Sequence, residues 1–199
     1  MMQFAGEFRV AGKPEHVIQL LADVERVSRC VPGATLDGRD ADGAYVGTMV
    51  VALGPKRVKF HGRVTCEVDL EKKTGKVIGR GRGDVRGTHA DIRTEYQLHE
   101  ELNATSKVPR TVIRLNSTAK LQGILAEFAQ PAVNAIGVAL IEEFGKNLEL
   151  ELAGNGERTA TSPLSLNRAF GSSIKNWILG VLSSIYSRVA NGLKNLRGA

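Results

Sequence analysis

The sequence predicts an α+β fold in which one long helix covers the apolar face of a curved antiparallel sheet. Three observations lead to it. Apolar and polar residues alternate with a period of two through residues 35–121, the spacing becomes helical over residues 123–152, and a separate alternating segment occupies residues 2–11. Since neither a one-faced sheet nor an amphipathic helix can bury its apolar side alone, we expect the two to pack together.

Composition is typical of a soluble globular protein of one or two domains. The 199 residues are 42% hydrophobic and 24% charged. Cys30 and Cys66 are the only cysteines and form no CxxC pair, which argues against a disulfide framework and against the usual zinc sites. The first residues lack a charged segment followed by an apolar run, so we expect a cytoplasmic protein.

The first elements are predicted to be one strand and two short helices. Residues 2–11 place Phe4, Phe8 and Val10 on one face of a strand. Pro14 suits a first helical turn, and the Pro32-Gly33 turn ends the helical stretch.

A meander of strands follows. Residues 57–70 form the clearest one, and residues 45–53, 89–98 and 113–121 repeat its alternation, with turn signals between them. This pattern is typical of an antiparallel sheet with one dry and one wet face.

Three parts are predicted for the whole chain. Residues 1–152 form the folded domain, and its last helix, residues 123–152, is expected to kink or break at Pro131. Residues 153–173 are rich in Gly, Ser, Thr and Asn and are expected to be a flexible linker. Residues 174–197 carry a second helical pattern.

Small residues dominate the positions expected to face the core, and aromatic residues make up only 5% of the chain. Two interpretations stay open: an apolar cavity between helix and sheet, or close packing with glycines that let the strands bend. The small positions on strands are Gly47, Gly62, Cys66, Gly79, Gly81, Gly83, Ala90, Ser117 and Ala119, and those on the helix are Ala129, Ala132, Ala135, Gly137 and Ala139.

A cavity of this kind would bind an apolar ligand oriented by a few hydrogen bonds, with Thr94, Tyr96 and Ser117 as the polar contacts. Its predicted lining is Met49, Val51, Phe60, Val64, Cys66, Ile92, Thr94, Tyr96, Ile113, Leu115, Ser117, Phe128, Ala132, Ala135, Ile136, Ala139 and Leu140.

The C-terminal segment has the pattern of a helix that lies on a membrane surface. Residues 159–199 contain five basic residues and no acid, which leaves a net charge of +1 for residues 1–158 out of the total of +6. The apolar side spans about half of a helical wheel, too little for a spanning helix but suited to an anionic interface. The alternative is a helix packed on this domain or on another subunit. The predicted membrane-binding residues are Ile174, Lys175, Trp177, Ile178, Val181, Leu182, Ile185, Tyr186, Arg188, Val189, Leu193 and Leu196.

Other chemistries find little support. The histidines show no metal-binding spacing, and His61, His89 and His99 fall on polar strand faces, so we predict neither a catalytic nor a metal site. Cys66 is predicted to act as a small hydrophobe. The glycine-rich residues 79–87 do not fit GxGxxG, and the arginines among them predict a solvated charge network with nearby acids rather than a nucleic-acid surface.

The order of elements and five short motifs resemble one known family. The motifs are GEFRV at residues 6–10, CVPGA at 30–34, GAYVG at 43–47, FHG at 60–62, and AIG, EF and NL in the closing helix at residues 135–148. Over residues 1–152 the chain resembles the carbon monoxide dehydrogenase CoxG family of the helix-grip (START/SRPBCC-like) superfamily. That fold is a curved seven-stranded antiparallel sheet wrapped around a C-terminal helix, with two short helices after the first strand.

The resemblance implies a non-catalytic accessory protein of a molybdenum-hydroxylase-type dehydrogenase. Such a protein would bind a menaquinone-type lipid in its apolar cavity and couple the enzyme to the inner face of the cell membrane. A pure membrane-anchoring adaptor with a filled core is the alternative, followed by a small-molecule lyase or cyclase of the same fold.

Overall fold

The computed structural model describes residues 1–53, 56–101, 109–127 and 130–154. Its strands and helices are, in chain order, β1 (Met2–Ala11), α1 (Pro14–Ala22), α2 (Val24–Cys30), β2 (Ala34–Arg39), β3 (Tyr45–Leu53), β4 (Lys56–Asp69), β5 (Thr74–Gly83), β6 (His89–Glu101), β7 (Arg110–Gln122), a 3-10 helix (Gly123–Glu127) and α3 (Gln130–Leu152).

The seven strands form one antiparallel sheet in the order β1-β7-β6-β5-β4-β3-β2. Each strand from β2 to β6 pairs with the next one along the chain, and β1 completes the sheet by pairing with β7. The predicted α+β class, the meander and the paired short helices are therefore confirmed.

The final helix begins later than predicted. Residues 123–127 form a separate 3-10 helix, and α3 starts at Gln130, so Pro131 lies in its first turn. Proline is tolerated there because the first backbone N–H groups of a helix have no partner within it. Pro131 therefore marks the start of the long helix and does not kink it.

The two short helices meet at Asp23. The backbone N–H of Asp23 donates to the carbonyl of Leu20 and closes α1, while its carboxylate accepts from the N–H of Arg26 and caps α2. Pro14 stands at the start of α1 as predicted. A single aspartate thus ends one helix and caps the next.

The long helix lies against one face of β1, which defines the inner face of the sheet. A methyl group added at Gly137 would lie 2.9 Å from the ring of Phe4, and one at Gly145 would lie 2.8 Å from the ring of Phe8. Phe8 also meets Phe144 edge-to-face, with ring centroids 5.8 Å apart. Glycine at these two helix positions lets the backbone of α3 approach the aromatic rings of β1.

The second half of α3 is also fastened to α2. The amide of Asn147 donates to the carbonyl of Cys30 at 3.0 Å, and the carboxylate of Glu151, only 5% exposed, pairs with Arg26 at 2.7 Å and with Arg29 at 3.6 Å. Burial and the nearby Glu151 charge raise the pKa of the Cys30 thiol to about 11. This end of the domain is held by packing and by polar contacts together.

Candidate ligand-binding site

Strand register brings most of the predicted lining onto the inner face. Phe4, which contacts α3, pairs with Ser117, Ser117 pairs with Thr94, and the row continues through Val77 to Cys66. Because side chains directly opposite each other in a sheet share a face, this whole row lies on the side that α3 covers.

Two clusters of buried residues occupy the ends of the inner face. The sealed core comprises Val10, Val17, Ile18, Leu20, Leu21, Cys30, Leu98, Ile113 and Leu148. The small core comprises Val58, Phe60 and Leu125, with Met49, Val51, Ala90, Leu121 and Ile136 packed against it.

Between the two cores lies a less covered region that we name the open stretch: Val64, Val77, Gly79, Ile92 and Thr94. Ile92 is 37% exposed although it points to the helix side of the sheet, and the other four are half-buried. The rest of this face packs into two cores. The exposure of Ile92 therefore indicates that the elements covering the sheet leave space above it. Three of the five side chains here, Val64, Val77 and Ile92, are aliphatic.

The polar groups beside the open stretch on β6 and β7 are few and uncharged. The hydroxyls of Thr94 and Ser117 lie 2.8 Å apart in a hydrogen bond. The phenol of Tyr96 lies across Gly75, where an added methyl group would come within 2.2 Å of its hydroxyl oxygen. Burial, with a smaller effect of Cys66, raises the pKa of Tyr96 to about 12, and burial also raises the pKa of Cys66. At neutral pH these groups are protonated hydrogen-bonding partners, and the Cys66 thiol has little nucleophilic character.

The predicted lining residues differ in their exposure. Phe128 lies outside the described residues, as does the side chain of Ala132. Ile92 is exposed. The buried ones are Phe60, Ile113, Leu115, Ser117 and Ala139, and the half-buried ones are Met49, Val51, Val64, Cys66, Thr94, Tyr96, Ala135, Ile136 and Leu140.

The glycines of the inner face are small for different structural reasons. A methyl group at Gly47 would lie 2.3 Å from the carbonyl oxygen of Thr35, and one at Gly62 would lie 2.6 Å from that of Arg80. Both glycines are required by the close approach of neighbouring strands. At Gly79 the nearest atom would be 3.8 Å away, an ordinary contact, so there is room for a methyl group at this position. The sequence alone does not distinguish a glycine required by a close neighbouring strand from one with room for a side chain.

A cavity of about 390 Å³ opens beside Cys66, where the α1–α2 junction faces β3 and β4. Arg39 and Tyr45 contribute to its wall. Sequence reasoning missed Arg39, because simple alternation places it on the outer face; the one signal was Gly38 beside it, a residue typical of strand irregularities.

Charged residues of the outer face form the predicted network only in part. Arg80 and Asp91 lie 4.0 Å apart, as expected from their places on β5 and β6. Arg63 instead pairs with Asp40 at 2.7 Å and with Asp42 at 2.9 Å, two acids in the β2–β3 turn. These are exposed contacts of low energy.

Within the described ranges, no group of three His, Cys, Asp or Glu residues could hold a metal ion. The same part of the chain contains no helix that is long and apolar enough to cross a membrane. The predicted linker from residue 155 onward and all predicted membrane-binding residues, from Ile174 to Leu196, lie outside the described residues.

Solved structures that are similar to this chain come from several organisms. A conserved protein from Geobacillus kaustophilus has a TM-score of 0.64 and 18% identity, covering 75% of this chain and 94% of its own. The Zhui aromatase/cyclase from Streptomyces sp. R1128 has a TM-score of 0.46 and 14% identity, covering 80% and 98%. Truncated norcoclaurine synthase from Thalictrum flavum has a TM-score of 0.46 and 16% identity, covering 75% and 92%. No curated protein matches this chain.

The sheet order, the two short helices after β1 and the long final helix define a protein of the helix-grip, SRPBCC-like class. Within that class the chain belongs to the carbon monoxide dehydrogenase CoxG family, whose model matches residues 6–153. It is thus a member of a family associated with carbon monoxide dehydrogenase, and the resemblance inferred from the five motifs is confirmed.

Proposed function

We propose that this protein binds an apolar, menaquinone-type lipid on its inner face and couples a molybdenum-hydroxylase dehydrogenase to the membrane quinone pool without itself being a catalyst. The observation that carries the proposal is the exposure of Ile92 on the helix side of the sheet, between two well-packed cores. Membership of the CoxG family supports the choice of enzyme partner.

The chemistry of the open stretch suits such a ligand. Its aliphatic surface would cover an isoprenoid chain, and each buried methylene contributes about 0.8 kcal/mol. The neutral hydroxyls of Thr94, Ser117 and Tyr96 are hydrogen-bond partners for a carbonyl oxygen. We expect no acid–base chemistry from a face whose titratable groups stay protonated.

Ligand extraction tests the carrier role directly. Solvent extraction of the purified full-length protein, followed by mass spectrometry, should recover a prenylated quinone. In a binding assay, Gly79→Phe should weaken the binding of menaquinone-4 by about tenfold or more, because the ring would fill the space above the sheet. Ile78→Phe is the matched control, since residue 78 alternates to the outer face of the same strand.

The results separate the carrier from its alternative. A protein that yields no quinone and shows no saturable binding of menaquinone-4 would be a membrane-anchoring adaptor. Equal binding by Gly79→Phe and Ile78→Phe would place the ligand somewhere other than the open stretch.

Membrane association is proposed for residues 174–197, with the protein peripheral on the cytoplasmic side of the membrane. The double variant Ile178→Gln and Leu182→Gln should reduce co-sedimentation with anionic vesicles about tenfold or more, because both side chains lie on the predicted apolar side of the helix. The control variant, Ser183→Gln and Ser187→Gln, changes the opposite side and should bind like wild type. Unchanged sedimentation of both variants would contradict the interfacial role.

A further inference from the structure

The β2–β3 hairpin contains a register shift that changes which way one arginine points. Leu36 pairs with Gly47, but the next pair is Gly38 with Val46, so Asp37 is an extra residue in β2. Gly38 has a φ of +140°, a backbone conformation that residues with a side chain rarely adopt. A bulge of this kind reverses the alternation of the residues that follow it.

The reversal brings Arg39 to the inner side of the sheet. Arg39 pairs with Tyr45, and Tyr45 pairs with Val64 of the open stretch. The guanidinium lies 4.2 Å from the centre of the Tyr45 ring and donates a hydrogen bond to the Tyr45 hydroxyl. Without the bulge, Gly38 would hold this place and Arg39 would point outward.

Arg39 and Tyr45 stand at the cavity of about 390 Å³ beside the open stretch. Its apolar wall includes Ala22 and Val24 at the α1–α2 junction and Cys66 and Val68 on β4. The wall of the cavity is thus part apolar and part polar, with the cation of Arg39 and the carboxylate of Asp42 as its charged groups. Cys66 connects the cavity to the row of residues that crosses the inner face.

The donors of Arg39 are largely unused within the described part of the chain. Asp40 and Asp42, the two acids of the turn that follows Arg39, both pair with Arg63. A guanidinium has five N–H donors, and the structure assigns a hydrogen bond from Arg39 to Tyr45 alone among the described residues.

The turn that carries Arg39 is held in place without the arginine. One oxygen of the Asp40 carboxylate accepts from the backbone N–H groups of Asp42 and Ala44, each at 3.0 Å. Removing the Arg39 side chain therefore leaves the turn and its ion pairs intact, which makes the residue suitable for substitution.

We propose that this cavity is the subsite for the oxygen-bearing head group of the bound lipid, with Arg39 donating hydrogen bonds to its carbonyl or carboxylate oxygen. The inference rests on the proposed function, because the apolar body of the same ligand would lie along the open stretch. In this proposal Arg39 decides which end of the ligand enters the cavity. Arg39 also selects oxygenated lipids over plain hydrocarbons.

Binding of three probes to the full-length protein tests this subsite. Menaquinone-4 carries carbonyl oxygens, palmitate carries a carboxylate, and squalene carries no oxygen. Arg39→Gln should weaken the binding of menaquinone-4, palmitate or both by about tenfold and leave squalene unchanged, since a hydrogen bond to a charged group has that effect on affinity. Arg80→Gln is the matched control on the exposed outer face, and thermal melting establishes that both variants fold.

Each outcome distinguishes between the two proposals. Weaker binding of menaquinone-4 alone identifies a carbonyl head, and weaker binding of palmitate alone identifies a carboxylate head. If wild type binds the probes and Arg39→Gln binds all three equally well, the subsite is refuted while the lipid-binding role stands. If wild type binds none of them, the lipid-binding role is refuted and the subsite with it.

Discussion

The sealed core and the open stretch lie on the same face of the same sheet, yet they are covered to different degrees. In the sealed core, Leu148 of α3 is 0% exposed, and the helix is fixed to β1 and α2 by Gly145 and Glu151. In the open stretch, Ile92 is 37% exposed. The tightest packing therefore lies where the second half of α3 meets the short helices, and the middle of the sheet is less covered.

The largest expected effect comes from truncating one aliphatic side chain in the sealed core and one in the open stretch. Leu148→Ala should lower the free energy of unfolding by about 3 kcal/mol, because it creates a cavity in a fully packed site. Ile92→Ala should lower it by about 1 kcal/mol or less, since this side chain already meets solvent. Chemical denaturation measures both values, and a similar loss for the two variants would break the distinction between the regions.

A smaller effect on the free energy of unfolding is expected from substituting two glycines of the inner face. Gly62→Ala should cost about 2 kcal/mol, because the new methyl group meets the carbonyl oxygen of Arg80 in the next strand. Gly79→Ala should stay within about 0.5 kcal/mol of wild type, since its methyl group makes only ordinary contact. Denaturation curves that rank the two in the opposite order would contradict the close approach of strands as the reason for Gly62.

A further expected effect is a loss of stability at alkaline pH that begins in the sealed core. The raised pKa of Cys30, about 11 against an ordinary 9.0, means that folding favours the protonated thiol. Its contribution is present below about pH 9 and is lost as the pH rises to about 11, and the raised pKa of Tyr96 extends the loss from about pH 10 to about 12.

Denaturation at several pH values checks this expectation. Cys30→Ala should remove the part of the decline between about pH 9 and 11, and Tyr96→Phe should remove the part between about pH 10 and 12. A decline that neither substitution changes would assign the alkaline instability to other groups.

Much of the fold was accessible from periodicity. Alternation in β4 and β6 correctly predicted which side chains share the inner face, because a strand turns every second residue to the same side whatever its partners are. The start of α3 was predicted less well, since a proline inside an apolar helical pattern is compatible with a kink or with a first turn. The structure places Pro131 in the first turn of α3.

The site was predicted less completely than the fold. The polar trio Thr94, Tyr96 and Ser117 follows from alternation alone, and all three share the inner face. Arg39 does not follow from it, because its direction depends on the extra residue at Asp37 and on pairing with another strand. The same limit applies to Gly62 and Gly79, which are identical in sequence and differ in what lies opposite them.

The sequence by itself determined the class of fold, the CoxG family and the apolar character of the inner face, because those depend on local spacing and on residue type. Only the tertiary structure decided where that face is covered and which cation reaches it, because coverage and the β2–β3 register arise from contacts between segments distant along the chain.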